Sequence, residues 1–311
     1  MVGRSSAVGV SLFVAVACSG GGGGDSGNPI LDTNEAACTE YGSAYCTRLE
    51  SCIVTSIGQR YGDVATCKER VALGCTTRLG LSGSVRKPAD VRTCAKAISA
   101  GTCNSLRGDL IPNECMPIKG TLATGATCLD DSQCASAYCD GSSALCGGHC
   151  KDARREGEAC DAAGVICGRA LVCIDGKCAR PLALAVDDFC TGPDSCNAGL
   201  ACQADRCQKP AALGEACDAT WATAPACNLD AGLLCLSGKC VKLVLNPPGS
   251  ACDDTFSGPN QCSKSTCVSG SCRGYVADGG DCSGKLECLS PFKCDRSVCK
   301  RFDQITTACG L

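Results

Sequence analysis

From Asn34 to about Ile118, apolar positions recur at helical spacing. Cys38, Tyr41, Tyr45, Leu49 and Cys52 follow steps of 3, 4, 4 and 3, one face of an amphipathic helix, with Cys46 off that stripe. Cys67, Val71, Cys75 and Leu79 recur every four residues and predict a second helix, opened by Asp63 as its cap and closed at Gly80. A third helix is expected to start at Pro88, a residue tolerated in a first turn. It carries Val91, Cys94 and Ile98 on one face and stops before Gly101. Cys103 and Cys115 fall in loops. The eight cysteines of this stretch predict four disulfides tying a small helical bundle together. A metal cluster would need C-x2-C pairs or histidine spacings; the stretch has neither, and His149 is the only histidine of the chain.

After Gly120 the helical period gives way to short, regular cysteine spacing rich in Gly, Asp and Ser, which reads as a repeat array. Its clearest units are Gly157-Glu-Ala-Cys160 with Cys167, Cys173 and Cys178, and Gly214-Glu-Ala-Cys217 with Cys227, Cys235 and Cys240. Three more run through Cys190, Cys196, Cys202 and Cys207; Cys252, Cys262, Cys267 and Cys272; and Cys282, Cys288, Cys294 and Cys299. Four residues separate the last two cysteines every time, and the starting cysteines lie 27 to 35 residues apart. Cys173-Ile-Asp-Gly-Lys-Cys178 sets Asp175-Gly176, a strong two-residue turn signal, between two cysteines, and Cys235-Leu-Ser-Gly-Lys-Cys240 repeats it. Each unit is therefore expected to end in a hairpin. Opposed positions on a two-stranded ribbon project to one face, so these two cysteines are expected to reach back to the first two of their unit rather than to each other; four cysteines allow three pairings, and the connectivity stays open. A rod and an array folded back through Cys309 both remain open.

Composition explains why cysteine carries the structure. The 311 residues hold 35 cysteines but only 4% aromatic residues, one Trp and two Met, and much of the hydrophobic fraction is Cys and Ala. At about 25 cal/mol per Å² of apolar surface buried, such small side chains do not offset the entropy of ordering the backbone. A disulfide closing a loop of about 15 residues contributes about 3 kcal/mol, which makes up the difference and requires an oxidising compartment. The net charge of -3 offers no basic excess for phosphates, so no nucleic acid partner is expected. The densest basic cluster, Lys151 to Arg155, is interrupted by Asp152 and reads as a solvated loop.

The N-terminus reads as an export signal. Arg4 supplies a positive start, Ala7 to Ala17 an apolar stretch too short to span a membrane, and Ala15-Val16-Ala17 small residues immediately before Cys18. Ala15-Val16-Ala17-Cys18 resembles the lipobox of bacterial lipoproteins, whose cysteine is acylated and becomes the mature N-terminus. Where Leu usually stands three places before that cysteine, this chain has Ala15. Ordinary cleavage at the same bond is the alternative, and it leaves an odd thiol, whereas acylation of Cys18 leaves 34 cysteines that can all pair. The Gly/Ser-rich run from Ser19 to Pro29 is a flexible tether rather than a phosphate loop. Ser19 after the cysteine implies, by the same resemblance, sorting to the outer membrane of a Gram-negative cell.

The run Cys128-Leu-Asp-Asp-Ser-Gln-Cys134, followed by Cys139, Cys146, Cys150, Cys160, Cys167, Cys173 and Cys178, resembles the N-terminal cysteine-rich domain of the Dickkopf family. That family has ten cysteines with an adjacent pair near the end; here Cys167 stands alone before Gly168. Nine remain, so one, with Cys150 the candidate, is expected to bond elsewhere, and Cys309 is the spare. Later units match only the second half of the pattern. The resemblance implies an extracytoplasmic, non-catalytic, disulfide-rich module. The receptor antagonism of the animal members does not carry over to a lipobox-bearing chain with no second Dickkopf domain. The whole layout also resembles cysteine-rich bacterial lipoproteins with a helical front and Dickkopf-like units behind.

The expected organisation is a signal peptide over 1–17, a lipidated Cys18 and tether over 18–33, and a helical eight-cysteine domain over 34–119. A Dickkopf-like module over 120–180 and further four-cysteine repeats with a tail over 181–311 follow. The fold class is small and disulfide-rich: a disulfide-linked helical domain, then an array of short β-hairpin repeats. Every cysteine from Cys38 to Cys309 is expected to be structural. Three functions compete. The first is a lipid-anchored surface or periplasmic scaffold whose repeats form an elongated stalk or a binding surface for a protein or polysaccharide. The second is a secreted protease inhibitor or toxin-like ligand, with Arg154-Arg155 and Gly168-Arg169 as candidate exposed segments. The third is an enzyme, for which His149 in Cys146-Gly-Gly-His149-Cys150 has no nucleophile motif to serve and no C-x2-C pair exists for redox work. The acidic doublets Asp130-Asp131, Asp187-Asp188 and Asp253-Asp254 fit no EF-hand and read as turn residues. No catalytic residue, metal ligand or cofactor is assigned.

Overall fold

A computed structural model describes residues 33–106, 110–141, 147–162, 164–190, 196–218, 224–253, 258–283, 286–301 and 304. The helices lie at its N-terminal side: α1 (Asn34–Cys52), the short α2 (Ser56–Arg60), α3 (Val64–Leu79) and α4 (Pro88–Ala100). Their ends follow from local chemistry. Thr33 and Asp63 cap α1 and α3, each accepting a backbone N–H three residues on, at 3.2 and 2.7 Å. Pro88 opens α4, and the Gly80 and Gly101 amides close α3 and α4 on the carbonyls of Thr76 and Ala97.

The packed face of α1 includes the predicted stripe and is wider than it. Cys38 and Leu49 are buried and Tyr41 and Tyr45 pack partly buried against the core, while Ala37, Gly42 and Cys46 are buried as well. The face extends to Cys46 because Cys46 bonds to Cys67 of α3 and Gly42 lets the two helices touch; a Cβ there would stand 2.6 Å from the Lys68 carbonyl oxygen. Four disulfides hold the helical segment: Cys38–Cys75, Cys46–Cys67, Cys52–Cys103 and Cys94–Cys115. Leu49, Ile57 and Tyr61 pack beside Cys46 and Cys67, and Val91 beside Cys38 and Cys75.

Beyond Gly120 the chain builds six units of one plan. In each, the first cysteine bonds to the third and the second to the fourth. The pairs are Cys128–Cys139 and Cys134–Cys150, Cys160–Cys173 and Cys167–Cys178, and Cys190–Cys202 and Cys196–Cys207. The remaining three units contribute Cys217–Cys235 and Cys227–Cys240, Cys252–Cys267 and Cys262–Cys272, and Cys282–Cys294 and Cys288–Cys299. The first unit is a three-stranded sheet of β1 (Thr127–Cys128), β3 (Gly148–Cys150) and β2 (Cys139–Asp140), in that order. The others end in hairpins: β4–β5 (Val172–Ile174, Lys177–Ala179), β6–β7 (Ala201–Gln203, Arg206–Gln208), β8–β9 (Leu233–Leu236, Lys239–Lys242), β12–β13 (Ser265–Val268, Ser271–Gly274) and β14–β15 (Lys293–Asp295, Val298–Lys300). The third and fourth cysteines face each other across each of these ribbons, as Cys173 and Cys178 do, and neither bonds its opposite. Both central turn residues have positive φ in every hairpin, from Asp175-Gly176 (49° and 74°) to Arg296-Ser297 (48° and 66°), the twist a two-residue turn needs.

The Gly-Glu-Ala-Cys signature has its own geometry. Gly157 and Gly214, at φ 84° and 82°, each donate their amide to the carbonyl of the last cysteine of the unit, at 2.7 and 2.8 Å. In the third unit Asp187 takes the same place at φ 69°. The residue before the first cysteine then bridges to the one before the last, as Ala159 does to Lys177 and Phe189 to Arg206. The segment leading into each unit pairs in parallel with its second cysteine. Leu122 does so with Cys134 and Ala211 with Cys227, and in the fifth unit the contact widens into β10–β11 (Val244–Asn246, Asn260–Cys262). The largest side chains under 2% exposed are all cysteines, so the core of each unit is its pair of disulfides.

The helices and the repeats belong to one compact unit, Asp32–Leu311. Thr121 and Gln133 of the first unit bond the carbonyls of Gly83 and Ser82 after α3. Arg180, following the second unit, reaches the Ile111 carbonyl, and the Asn104 side chain holds Asn197 and Ala198 of the third. Val54 after α1 bonds Asp230 of the fourth unit, and Gly58 of α2 accepts from Ser263 and Lys264 of the fifth. Arg70 of α3 donates to the Ser290 and Leu289 carbonyls of the sixth and lies 4.3 Å over the Phe292 ring. The last unit thus returns to the helix whose end carries the first.

Candidate functional site

The sequence-predicted site residues fall into three groups. Cys18, Cys146 and Cys309 lie outside the described residues. The other thirty-two cysteines are joined in sixteen disulfides. Cys150, expected to bond outside its module, instead closes the first unit on Cys134. The spacing concealed this because Cys146 stands between Cys139 and Cys150. With Cys146 set aside, the first unit has the same four-cysteine plan as the rest. In several units three sulfurs converge, Cys217, Cys227 and Cys240 among them, within 4.8 Å of one another. All three are oxidised, and a disulfide sulfur is not the thiolate a metal site of this kind uses.

The non-cysteine candidates have structural roles. His149 is exposed in β3, the central strand of the first sheet, paired with Thr127 and Asp140 rather than set in a turn. Lys151 forms an ion pair with Asp140 and holds its carboxyl below the usual carboxylate range. Asp130 caps a short 3-10 turn through the Ser132 amide, and Asp131 accepts the Cys139 amide at 2.7 Å and Arg169 Nε at 2.8 Å. Asp188 accepts the Ala185 amide, and Asp253 accepts that of Asn260. These are turn residues, as the sequence suggests; Asp254 lies outside the described residues. Arg154 and Arg155 are exposed. Arg169 is not a free segment: it is tied to Asp131 and the Cys139 carbonyl and lies 5.1 Å over the Tyr138 ring, locking the second unit to the first.

Large apolar side chains stand in solvent on the units, and sequence reasoning passed over them. Leu182, Val186 and Phe189 are 78%, 48% and 63% exposed within eight residues of chain, and Leu213 follows at 64%. The signal was present: Phe189 occupies the position before the first cysteine where three other units carry Ala159, Ala216 and Ala251. A bulky apolar residue there gains no burial within its own unit.

Comparison with protein-family models, curated proteins and solved structures finds no match for this chain. What the chain is must therefore be taken from its own geometry. It is a small disulfide-rich repeat protein of an oxidising, extracytoplasmic or secreted environment, and no helix among the described residues is long and apolar enough to cross a membrane.

Proposed function

We propose that the protein is a non-catalytic, lipid-anchored extracytoplasmic scaffold that presents its wrapped repeats to a partner at the cell surface or in the periplasm. The observation that carries this reading is the cysteine count. Sixteen bridges join thirty-two of the 35 cysteines among the described residues; Cys18, Cys146 and Cys309 lie outside them. Acylation of Cys18 resolves the odd number and leaves 34 cysteines that can all pair. The sixth unit rests on α3 through Arg70, and the first lies against the end of the same helix, where Arg78 meets Asp130 at 3.5 Å. The tether from Ser19 to Pro29 gives the folded part room to stand off a bilayer. Kinship with the Dickkopf cysteine-rich domain and with cysteine-rich bacterial lipoproteins, and sorting to the outer membrane, belong to the same proposal.

Between a protein and a polysaccharide partner, the exposed apolar residues Leu182, Val186 and Leu213, with Phe189, support protein, since exposed apolar side chains of this kind mark protein interaction sites. For the secreted-inhibitor alternative, Arg154 and Arg155 are exposed, and Arg169 is exposed but tied to Asp131 and the Cys139 carbonyl. Cell fractionation tests the anchor. Wild-type protein is expected in the membrane fraction, and Cys18→Ala, which keeps Ala15-Val16-Ala17, in the soluble one. Equal partitioning of the two would reject it.

A further inference from the structure

A cavity of about 210 Å³ lies where the helices meet the first repeat unit. Its apolar wall is Leu79, Val91 and Pro117, together with the Cys94–Cys115 disulfide. Its polar lining is two guanidinium groups, Arg78 and Arg86, the Tyr41 phenol, Ser132 and two carboxylates, Asp130 and Asp131. The formal charges match in number, but no carboxylate is left for Arg86. Both carboxylates are engaged: Asp131 by the Cys139 amide and Arg169, Asp130 by the Ser132 amide and hydroxyl and, at 3.5 Å, by Arg78. Arg86 has no carboxylate. Its Nη2 makes one long contact, 3.4 Å to the Glu114 carbonyl, and its Nε is buried with no hydrogen-bond partner.

A buried guanidinium N–H without an acceptor is costly, because it has given up water for nothing, and such a group calls for a missing partner. The acceptor that best suits a guanidinium fork is a carboxylate, which takes two parallel N–H bonds. Burial pushes the Tyr41 phenol up, against the pull of Arg78, so it stays protonated and adds an O–H donor to the lining. The rest of the lining includes aliphatic groups and a disulfide, which reward an uncharged hydrocarbon body. A cavity of about 150 Å³ already accommodates benzene, so the space suits a single ring or a branched chain of similar size.

We propose that this cavity is a binding site for a small monocarboxylic acid with an apolar body, its carboxylate on Arg86 and its hydrocarbon against Leu79, Val91 and Pro117. The site goes beyond the scaffold reading and does not depend on the anchor. Neither the sequence pattern nor the repeat plan marks it, since it is assembled from α1, α3, Arg86 before α4, α4 itself, Cys115 and Pro117, and the first unit.

Titration calorimetry on the full, disulfide-intact chain tests it with benzoate and 4-methylpentanoate as probes, against benzamide and acetate. One of the two acids is expected to bind saturably at one site. Benzamide, which has the body without the charge, and acetate, which has the charge without the body, are each expected to bind at least roughly tenfold more weakly. Arg86→Gln is expected to weaken the acid by a similar factor, with Arg86→Lys restoring part of it. Absence of saturable binding by both acids up to ~10 mM would overturn the proposal, as would benzamide binding as well as benzoate. If Arg86→Gln fails to fold, the comparison of acid with amide on the unmodified chain still decides. A crystal structure with only water at Arg86 Nε in the presence of saturating probe would also overturn it.

Discussion

Arg70→Ala should loosen the sixth unit from the helices without unfolding the unit itself. Arg70 donates Nε to the Ser290 carbonyl at 2.9 Å and Nη2 to the Leu289 carbonyl at 3.2 Å, and its guanidinium lies 4.3 Å from the Phe292 ring centre. Hydrogen bonds from a charged donor contribute about 1.5–3 kcal/mol each when protected, and a cation over an aromatic face about 0.5–2 kcal/mol. The Ser290 contact is exposed, so the sum is discounted, and docking is expected to lose about 2–3 kcal/mol in all. The Cys282–Cys294 and Cys288–Cys299 bridges stay intact and keep the β14–β15 hairpin formed. The readout is amide exchange in the docked loop, at Leu289 and Phe292, whose N–H groups bond the Val276 and Leu289 carbonyls. If docking limits their opening, exchange should speed up by roughly 30- to 150-fold, while amides of the second unit keep their rates. Unchanged exchange at Leu289 and Phe292 would refute the argument that this unit is held by the helix and not merely by its neighbour.

Other outcomes follow from the same structure. Replacing Cys52 and Cys103 together by Ala opens the bridge with the largest sequence separation described, 51 residues; loop-closure entropy predicts a loss of about 4 kcal/mol, measurable by denaturant unfolding. Asp187→Gly should stabilise the third unit by about 1 kcal/mol, since Asp187 sits at φ 69° where Gly157 and Gly214 stand in other units; a lower melting temperature would contradict this. The hydrogen bonds of Asp63 to the Thr66 amide and hydroxyl hold its carboxyl below the usual aspartate range. The stability it adds is therefore present above the ordinary aspartate pKa and is lost as pH falls through the depressed one. Asp63→Ala should cost about 1 kcal/mol at neutral pH, and the gap from wild type should close in that acid range, as followed by circular dichroism.

Much of the local structure was legible because short-range chemistry decides it. Asp63, Gly80, Pro88 and Gly101 mark helix ends whatever surrounds them, and Asp175-Gly176 marks a turn whose ribbon fixes which way Cys173 and Cys178 point. That ribbon shows that the last two cysteines of a unit reach back to the first two; which of them takes which, first with third and second with fourth, emerged only from the structure. What stayed hidden depends on tertiary contact. Cys46 lies off the predicted stripe, yet it is fully buried because its bond to Cys67 and the close approach at Gly42 widen the packed face of α1. The five-residue α2 is too short to show a period. Cys150 was misassigned because an extra cysteine, Cys146, interrupts the first unit. The wrapping of the repeats left no trace because it runs largely through main-chain carbonyls at Gly58, Ser82, Gly83, Leu289 and Ser290, which every residue type possesses. The cavity at Arg86 was hidden for a related reason: its walls come from elements far apart in the chain.

The most direct test of the account is the intact mass of the mature protein from its native membranes, before and after reduction and alkylation. The account predicts a chain that begins at an acylated Cys18, takes up no alkylating agent beforehand, and shows all 34 remaining cysteines alkylated after reduction. A chain without acyl mass, or one with free thiols before reduction, would contradict the anchored and fully cross-linked scaffold.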